Sequence, residues 1–460
     1  MLGKLFQDKL FFQTMFKLST PIIIQNLITF SLGAVDMLMI GQLGDEAVAA
    51  VGLADQIFFL LILMLFGLSS GGAIFVAQYW GKRDMPSIHK VLGLTVLLSL
   101  LGSLGFALVA LFIPERVLGI YTADTAVIAL GSDYLRLVAL SYMASAVTVS
   151  YTFTLRSIEQ VKLPMMVGAI ALISNTTMNY ALIFGHFGFP QMGVGGAALA
   201  TCLARILEAI ILVSVIYWQK QALAARPGQL LAFEWSFASR FLKTALPVVL
   251  TEIAWSLGVT TYAIIYARIS TEAIAAVNIV VTIERIAFVV FLGMSNASAI
   301  MIGNRIGANE IDKATIYAKR FLVLSVLAAI PMGVLVMLGA GPVLSLYKVS
   351  ATVSEYARLL LLVMAFVLPL KVTALMVFIG ILRSGGDTRF SLFADAGFIW
   401  LVGVPLALIG AFVLELPVYW VYLLVVVDEV CKITAALWRF FSGRWIHRLA
   451  EPDVVGVPAK

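Results

Sequence analysis

The residues able to do chemistry in this chain are polar and ionisable groups embedded in otherwise apolar sequence. Asp36 lies between Phe30-Ser31-Leu32 and Leu38-Met39-Ile40. A carboxylate at such a depth costs at least about 2.5 kcal/mol on insertion scales, so it faces a cavity or a partner. There it can hold Na⁺ through its oxygens or carry a proton; its bland reading is a buried packing pair. Asn175 and Asn179 are four residues apart, hence on one helix face, and their carbonyl oxygens can serve the same ion. Glu252, Glu284, Lys371 and Asp395 form a second intramembrane set, with Arg285 beside Glu284. Glu252 reads either as a working carboxylate or as a helix-packing hydrogen bond. Mutual neutralisation is the expected role of the others. Lys371 has no acidic residue within one turn of its own helix, so its partner is expected to be Asp395 or Glu284 on a neighbouring one. Counting helical rise puts Asp395 about 9 Å off the depth of Lys371, which keeps Glu284 in contention.

Other chemistry finds no foothold. His89, His186 and His447 fall at loops or helix ends, and no nucleophile–base set, metal-ligand spacing or phosphate-cradling Gly-rich loop is present. Cys202 and Cys431 lie in apolar segments, which argues against a disulfide framework. Methionines such as Met37 and Met294, with Phe58 and Phe288, can line an adaptable pocket, though lipid contact or packing explains most of them. An enzyme is not expected.

These groups need a scaffold, and composition says which kind. Of 460 residues, 62% are hydrophobic and 12% charged, against about 25% charged in soluble domains. Mean hydropathy is +1.03. The chain is therefore expected to be an all-α polytopic membrane protein. Twelve spans are expected near 15–40, 49–80, 88–113, 126–155, 161–185, 193–218, 240–267, 274–303, 317–340, 353–382, 388–413 and 417–441. The net charge of +6 does not point to nucleic acid, because the cations concentrate in short loops. With both termini inside, 22 of the 31 Lys and Arg fall in inner segments, among them Lys4, Arg156, Arg383 and Lys460; three, Arg116, Arg268 and Lys348, fall in outer loops. That bias predicts cytoplasmic termini.

An internal repeat organises the spans. Sliding the sequence by 226 residues sets Ala47-Val48-Ala49-Ala50-Val51 on Ala273-Ile274-Ala275-Ala276-Val277. The same slide sets Pro21 on Pro247, Asn26 on Glu252, Gln78 on Asn304 and Gly81 on Gly307. At 227, Leu155-Arg156-Ser157 meets Leu382-Arg383-Ser384. Six spans per copy is an even number, so two homologous six-helix lobes are expected, related by a pseudo-twofold along the membrane normal. The expected division is an N-terminal segment 1–14, an N-lobe 15–218, a linker 219–239, a C-lobe 240–441 and a tail 442–460. Pro21 and Pro247 predict kinks shared by both lobes.

Several segments carry a family resemblance. They are Pro21 with Val35-Asp36-Met37, Ile40-Gly41, Ala49-Ala50-Val51-Gly52-Leu53 and Ala77-Gln78-Tyr79-Trp80-Gly81, followed by the stretches Asn179–Gly185, Gly193–Thr201 and Leu382–Thr388. Their order and spacing resemble the multidrug and toxic compound extrusion (MATE) transporters. The resemblance implies a cation-coupling carboxylate at Asp36 and cavity-forming polar residues at Asn175, Asn179 and Thr201. One branch of the family carries a second carboxylate where this chain has Asn179. Another carries an acidic residue near Val372, where this chain has Lys371 beside it, and a seventh-helix carboxylate that Glu252 matches.

The function expected is secondary antiport, exporting small, often cationic and amphipathic organic compounds in exchange for Na⁺ or H⁺. The expected setting is the inner membrane, with no cofactor, and the expected state is a monomer whose partners are substrate and lipid. The alternative is a flippase of lipid-linked precursors, which would need a cavity rich in Arg and Lys for pyrophosphate.

Overall fold

The computed structural model describes residues 8–451, which are helical apart from turns and one isolated bridge between Gly386 and Ile446. Lys4, Lys460 and the ends of the two terminal segments lie outside the described residues. Twelve spans follow in order: α1 Lys9–Ile40, α2 Asp45–Lys82, α3 Met85–Phe112, α4 the pair Thr125–Ala139 and Tyr142–Ser157, α5 Lys162–Phe184 and α6 Gly193–Trp218. The second six are α7 Trp235–Ile269, α8 Thr271–Gly307, α9 Ile311–Leu344, α10 Ala351–Leu382, α11 Thr388–Val413 and α12 Val418–Phe441.

Ten of these are single helices long and apolar enough to cross a membrane, and α4, bent by 52° at its break, makes an eleventh. The exception is α12, which carries Asp428, Glu429, Lys432 and Arg439. Helix ends follow local chemistry. Asp84 caps α3 by accepting from the Ser87 N–H at 3.1 Å, and Ser350 caps α10 through Val353. Gly185 closes α5 in the left-handed region, at φ +75°, which costs a glycine little. Pro21 and Pro247 sit inside α1 and α7.

Two compact units result. One comprises Thr20–Val76 and Arg83–Ala245; the other comprises Ala77–Lys82, the described residues up to Ser19, and those from Leu246 onward. The core of the first packs Leu61, Leu65, Tyr142, Ile183 and Ala198. That of the second packs Val280, Leu360, Met364, Ala407 and Val421. Within the second unit, the repeat-equivalent residues meet each other. A Cβ on Gly81 would stand 1.9 Å from the Asn304 carbonyl oxygen, and one on Gly307 1.8 Å from that of Gln78. Only glycine permits so close a crossing of α2 and α8.

Two of the cations counted in inner segments are not in open loops. Arg156 and Arg383, assigned to inner loops by hydropathy, are buried at the ends of α4 and α10. Each is drawn in by a partner on the first helix of its half, a contact that hydropathy windows cannot see.

Candidate functional site

In the first unit the residues expected to couple an ion do converge. Asp36 sits on α1, Asn175 and Asn179 one turn apart on α5, and Thr201 on α6. The Asn179 amide donates to Asp36 Oδ1 at 2.5 Å and to Asn175 Oδ1 at 3.1 Å. Asn175 in turn donates to Thr201 Oγ1 at 3.4 Å. Both asparagines are fully buried, whereas Asp36 is half-buried. Asn179 Oδ1 has no hydrogen-bond partner among the described residues. The chain thus joins a carboxylate that can gain or lose a cation to amides that can donate to the charged form. Turned over, the Asn179 amide would offer a carbonyl oxygen to Na⁺ instead.

The neighbourhood holds Arg205 and Tyr134, which sequence reasoning missed. Arg205 lies four residues beyond Thr201 on α6, pairs with Glu208 at 3.0 Å, and faces the Phe58 ring at 5.9 Å. Its charge and that of Asp55 both act on Asp36. The Tyr134 hydroxyl contacts Thr201. Thr201, Arg205 and Glu208 are spaced i, i+4, i+7, and that spacing was the available signal.

In the second unit the four expected residues do not form one site. They separate into three ionic groups: Lys371 and Glu284 pair with each other, while Glu252 and Asp395 each find a cation outside the set. Lys371 on α10 pairs with Glu284 on α8 at 2.6 Å, and also reaches the Tyr422 hydroxyl at 3.1 Å. Its partner is Glu284 rather than Asp395. Glu252 on α7 is bound by Arg383 at 2.7 Å. Asp395 on α11 is bound by Lys432 on α12 at 3.4 Å, and Lys432 also meets Asp428 at 3.2 Å and Glu429 at 3.5 Å. The α12 cluster went unweighed in the sequence, although an i, i+4 carboxylate–ammonium pair inside an apolar helix is a visible signal.

The two arginine contacts are equivalent. Arg156 donates to Gln25 at 2.6 Å, and both pairs are separated by 131 residues. Contact therefore sets Glu252 against Gln25, an offset of 227, and not against Asn26 as the ungapped slide has it.

The MatE family model matches residues 21–181 and again 247–409, well over half of the chain, and its two copies begin at Pro21 and Pro247. The chain belongs to the MatE family. Family relatives span nearly its full length. The probable multidrug resistance protein NorM of Thermotoga maritima is 25% identical over 94% of this chain and 92% of its own. The multidrug resistance protein PmpM of Pseudomonas aeruginosa is 26% identical over 84% of this chain and 81% of its own. Among solved structures, the mutant Vibrio cholerae MATE transporter VcmN aligns with a TM-score of 0.86 at 20% identity, covering 95% of this chain and 98% of that one. A Pyrococcus furiosus transporter of the MOP superfamily aligns at 0.84, with 19% identity over 95% of each chain. The fold is that of these multi-pass transporters, twelve helices in two six-helix halves. The chain is a membrane transporter of this family and not an enzyme. The matched region contains Asp36, Asn175, Asn179, Glu252, Glu284, Lys371 and Asp395, whereas Thr201 and Lys432 lie beyond it.

Proposed function

We propose that the chain is a secondary active antiporter of the cytoplasmic membrane, exporting small, often cationic organic compounds in exchange for H⁺ or Na⁺. The observation that carries this reading is the hydrogen-bonded chain Asp36–Asn179–Asn175–Thr201. A half-buried carboxylate held by the Asn179 amide, which favours its charged form, is a group whose occupancy a cation can change. Multidrug relatives in Thermotoga and Pseudomonas support the substrate class. The lysine and arginine bias supports cytoplasmic termini.

Thermodynamics fixes what Asp36 must do. The ion has to bind the inward- and outward-open states differently, or it shifts nothing. The membrane field adds about 2.3 kcal/mol per charge for each 100 mV. A flippase reading has less support. Its pyrophosphate cavity needs a cluster of uncompensated cations; Arg205, Lys371, Arg383 and Lys432 are each paired with a carboxylate, and the buried Arg156 is held by the Gln25 amide.

The test is efflux of a cationic dye from proteoliposomes under Na⁺ and pH gradients imposed separately. Stimulation by either gradient is the expected result. Equal efflux with and without both gradients overturns the reading.

A further inference from the structure

The second unit contains a buried charge imbalance that the proposed coupling does not use. Lys432 is 3% exposed at its side chain and serves three carboxylates, those of Asp395, Asp428 and Glu429. Two of the three have other support. Asp395 also feels Arg383, and Glu429 also acts on Lys371 while keeping 21% of its side chain exposed. Asp428 differs. Its side chain is 2% exposed, and Lys432 is its one ion-pair partner among the described residues. Its Oδ2 accepts from the Tyr262 hydroxyl at 3.3 Å, and its Oδ1 has no hydrogen-bond partner among the described residues. An ionised carboxylate buried with one bare oxygen is the costliest arrangement available to this side chain.

The surroundings are shaped to hold that arrangement. Gly403 ends a π-helical turn of α11, Ile399–Gly403. A Cβ there would stand 1.9 Å from the Tyr262 hydroxyl oxygen and 3.0 Å from Asp428 Oδ2. Glycine is thus what lets Tyr262 reach Asp428, and π-turns recur at working sites. Besides Lys432, the charged and titratable groups facing Asp428 are Tyr262 and Tyr266 on α7 and Glu429 on α12, with Asp395 on α11 across the ammonium.

We propose that Asp428 is a second cation-binding carboxylate of this chain and that its ligand is a proton, carried on Oδ1. Protonation leaves Lys432 paired with Asp395 and removes the surplus charge where it is most deeply buried. A metal cation does not fit, because the Lys432 ammonium already stands among the three carboxylates and would repel it. No group of three or more His, Cys, Asp and Glu among the described residues is arranged to hold a metal ion. The proposal does not depend on Asp36 being the coupling group.

Infrared difference spectra between acidic and neutral pH, recorded on the reconstituted full chain, test it. Asp428→Asn should remove a protonated-carboxyl band that Asp36→Asn leaves in place, and proton uptake on acidification should fall by one per chain in Asp428→Asn. Unchanged band and uptake in that variant overturn the proposal. Should Asp428→Asn fail to fold, Gly403→Ala serves instead. Displacing Tyr262 should shift the frequency of the band that survives Asp36→Asn, and an unshifted band overturns the proposal equally.

Discussion

Arg383 holds Glu252 at 2.7 Å across 131 residues of chain, and Arg156 holds Gln25 across the same interval in the other half. One fold position therefore accepts either a carboxylate or an amide opposite its arginine. Glu252→Gln converts the second half to the chemistry already present in the first and should express and melt close to the wild type. Glu252→Ala leaves the Arg383 guanidinium buried without its carboxylate, at a cost of about 3–5 kcal/mol. Thermal unfolding of the purified variants reads the difference. Equal melting of Gln and Ala variants would show that the pair contributes nothing to the fold.

The Lys371–Glu284 pair is partly buried and further held by Tyr422. Lys371→Met and Glu284→Met should each destabilise, and the double variant should recover part of the loss. A double-mutant cycle should give a coupling of about 0.5–3 kcal/mol. Strict additivity would mean that the two charges do not stabilise one another.

The segment following α12 is fastened by Gln78 at the end of α2 and by Asp387 in the turn before α11. Gln78 donates to the His447 carbonyl at 3.1 Å and accepts from the Leu449 N–H at 2.8 Å, while Asp387 takes Arg439 at 2.6 Å and lies 3.6 Å from His447. Burial pushes the Asp387 carboxyl up, but hydrogen bonds from His447 and Arg439 and the charge of Arg439 outweigh it and hold the carboxyl below its usual range. A lowered value means that the stabilisation is present above the unfolded-state value and is lost as pH falls through the folded one. Limited proteolysis after Phe441 should therefore accelerate only in strong acid for the wild type. In Asp387→Asn it should be fast already at neutral pH, and protection of that variant would contradict the assignment.

Asn179 donates to Asp36 and Asn175 at once. Losing a hydrogen bond to a charged group costs about 1.5–3 kcal/mol, so Asn179→Ala should slow gradient-driven efflux by about tenfold or more without abolishing it. Wild-type rates in dye efflux would remove Asn179 from the ion site.

Much of this was legible before the fold was known. Spans and repeat follow from hydropathy and an offset of 226, and the shared face of Asn175 and Asn179 from i, i+4 spacing, all local or self-comparing signals, whereas Thr201 and its grouping with Asp36 came from the family resemblance. Partner choice was not legible. Lys371 found Glu284 on α8, and Asp395 found Lys432 on α12, because pairing depends on helix rotation and depth, which spacing along one helix does not fix. The burial of Arg383 and Arg156 was not legible for a related reason. A hydropathy window ends a span at a charge, whereas the folded chain buries that charge when another helix supplies an acceptor.

The central claim is that Asp36 links substrate export to cation entry, and the direct measurement is of both fluxes together. In proteoliposomes loaded with a cationic dye, H⁺ or Na⁺ influx should accompany efflux in the wild type at a fixed ratio. In Asp36→Asn, dye should still bind, but gradient-stimulated efflux and the accompanying cation influx should both vanish. Cation influx coupled to dye efflux at the wild-type ratio in Asp36→Asn would contradict the account.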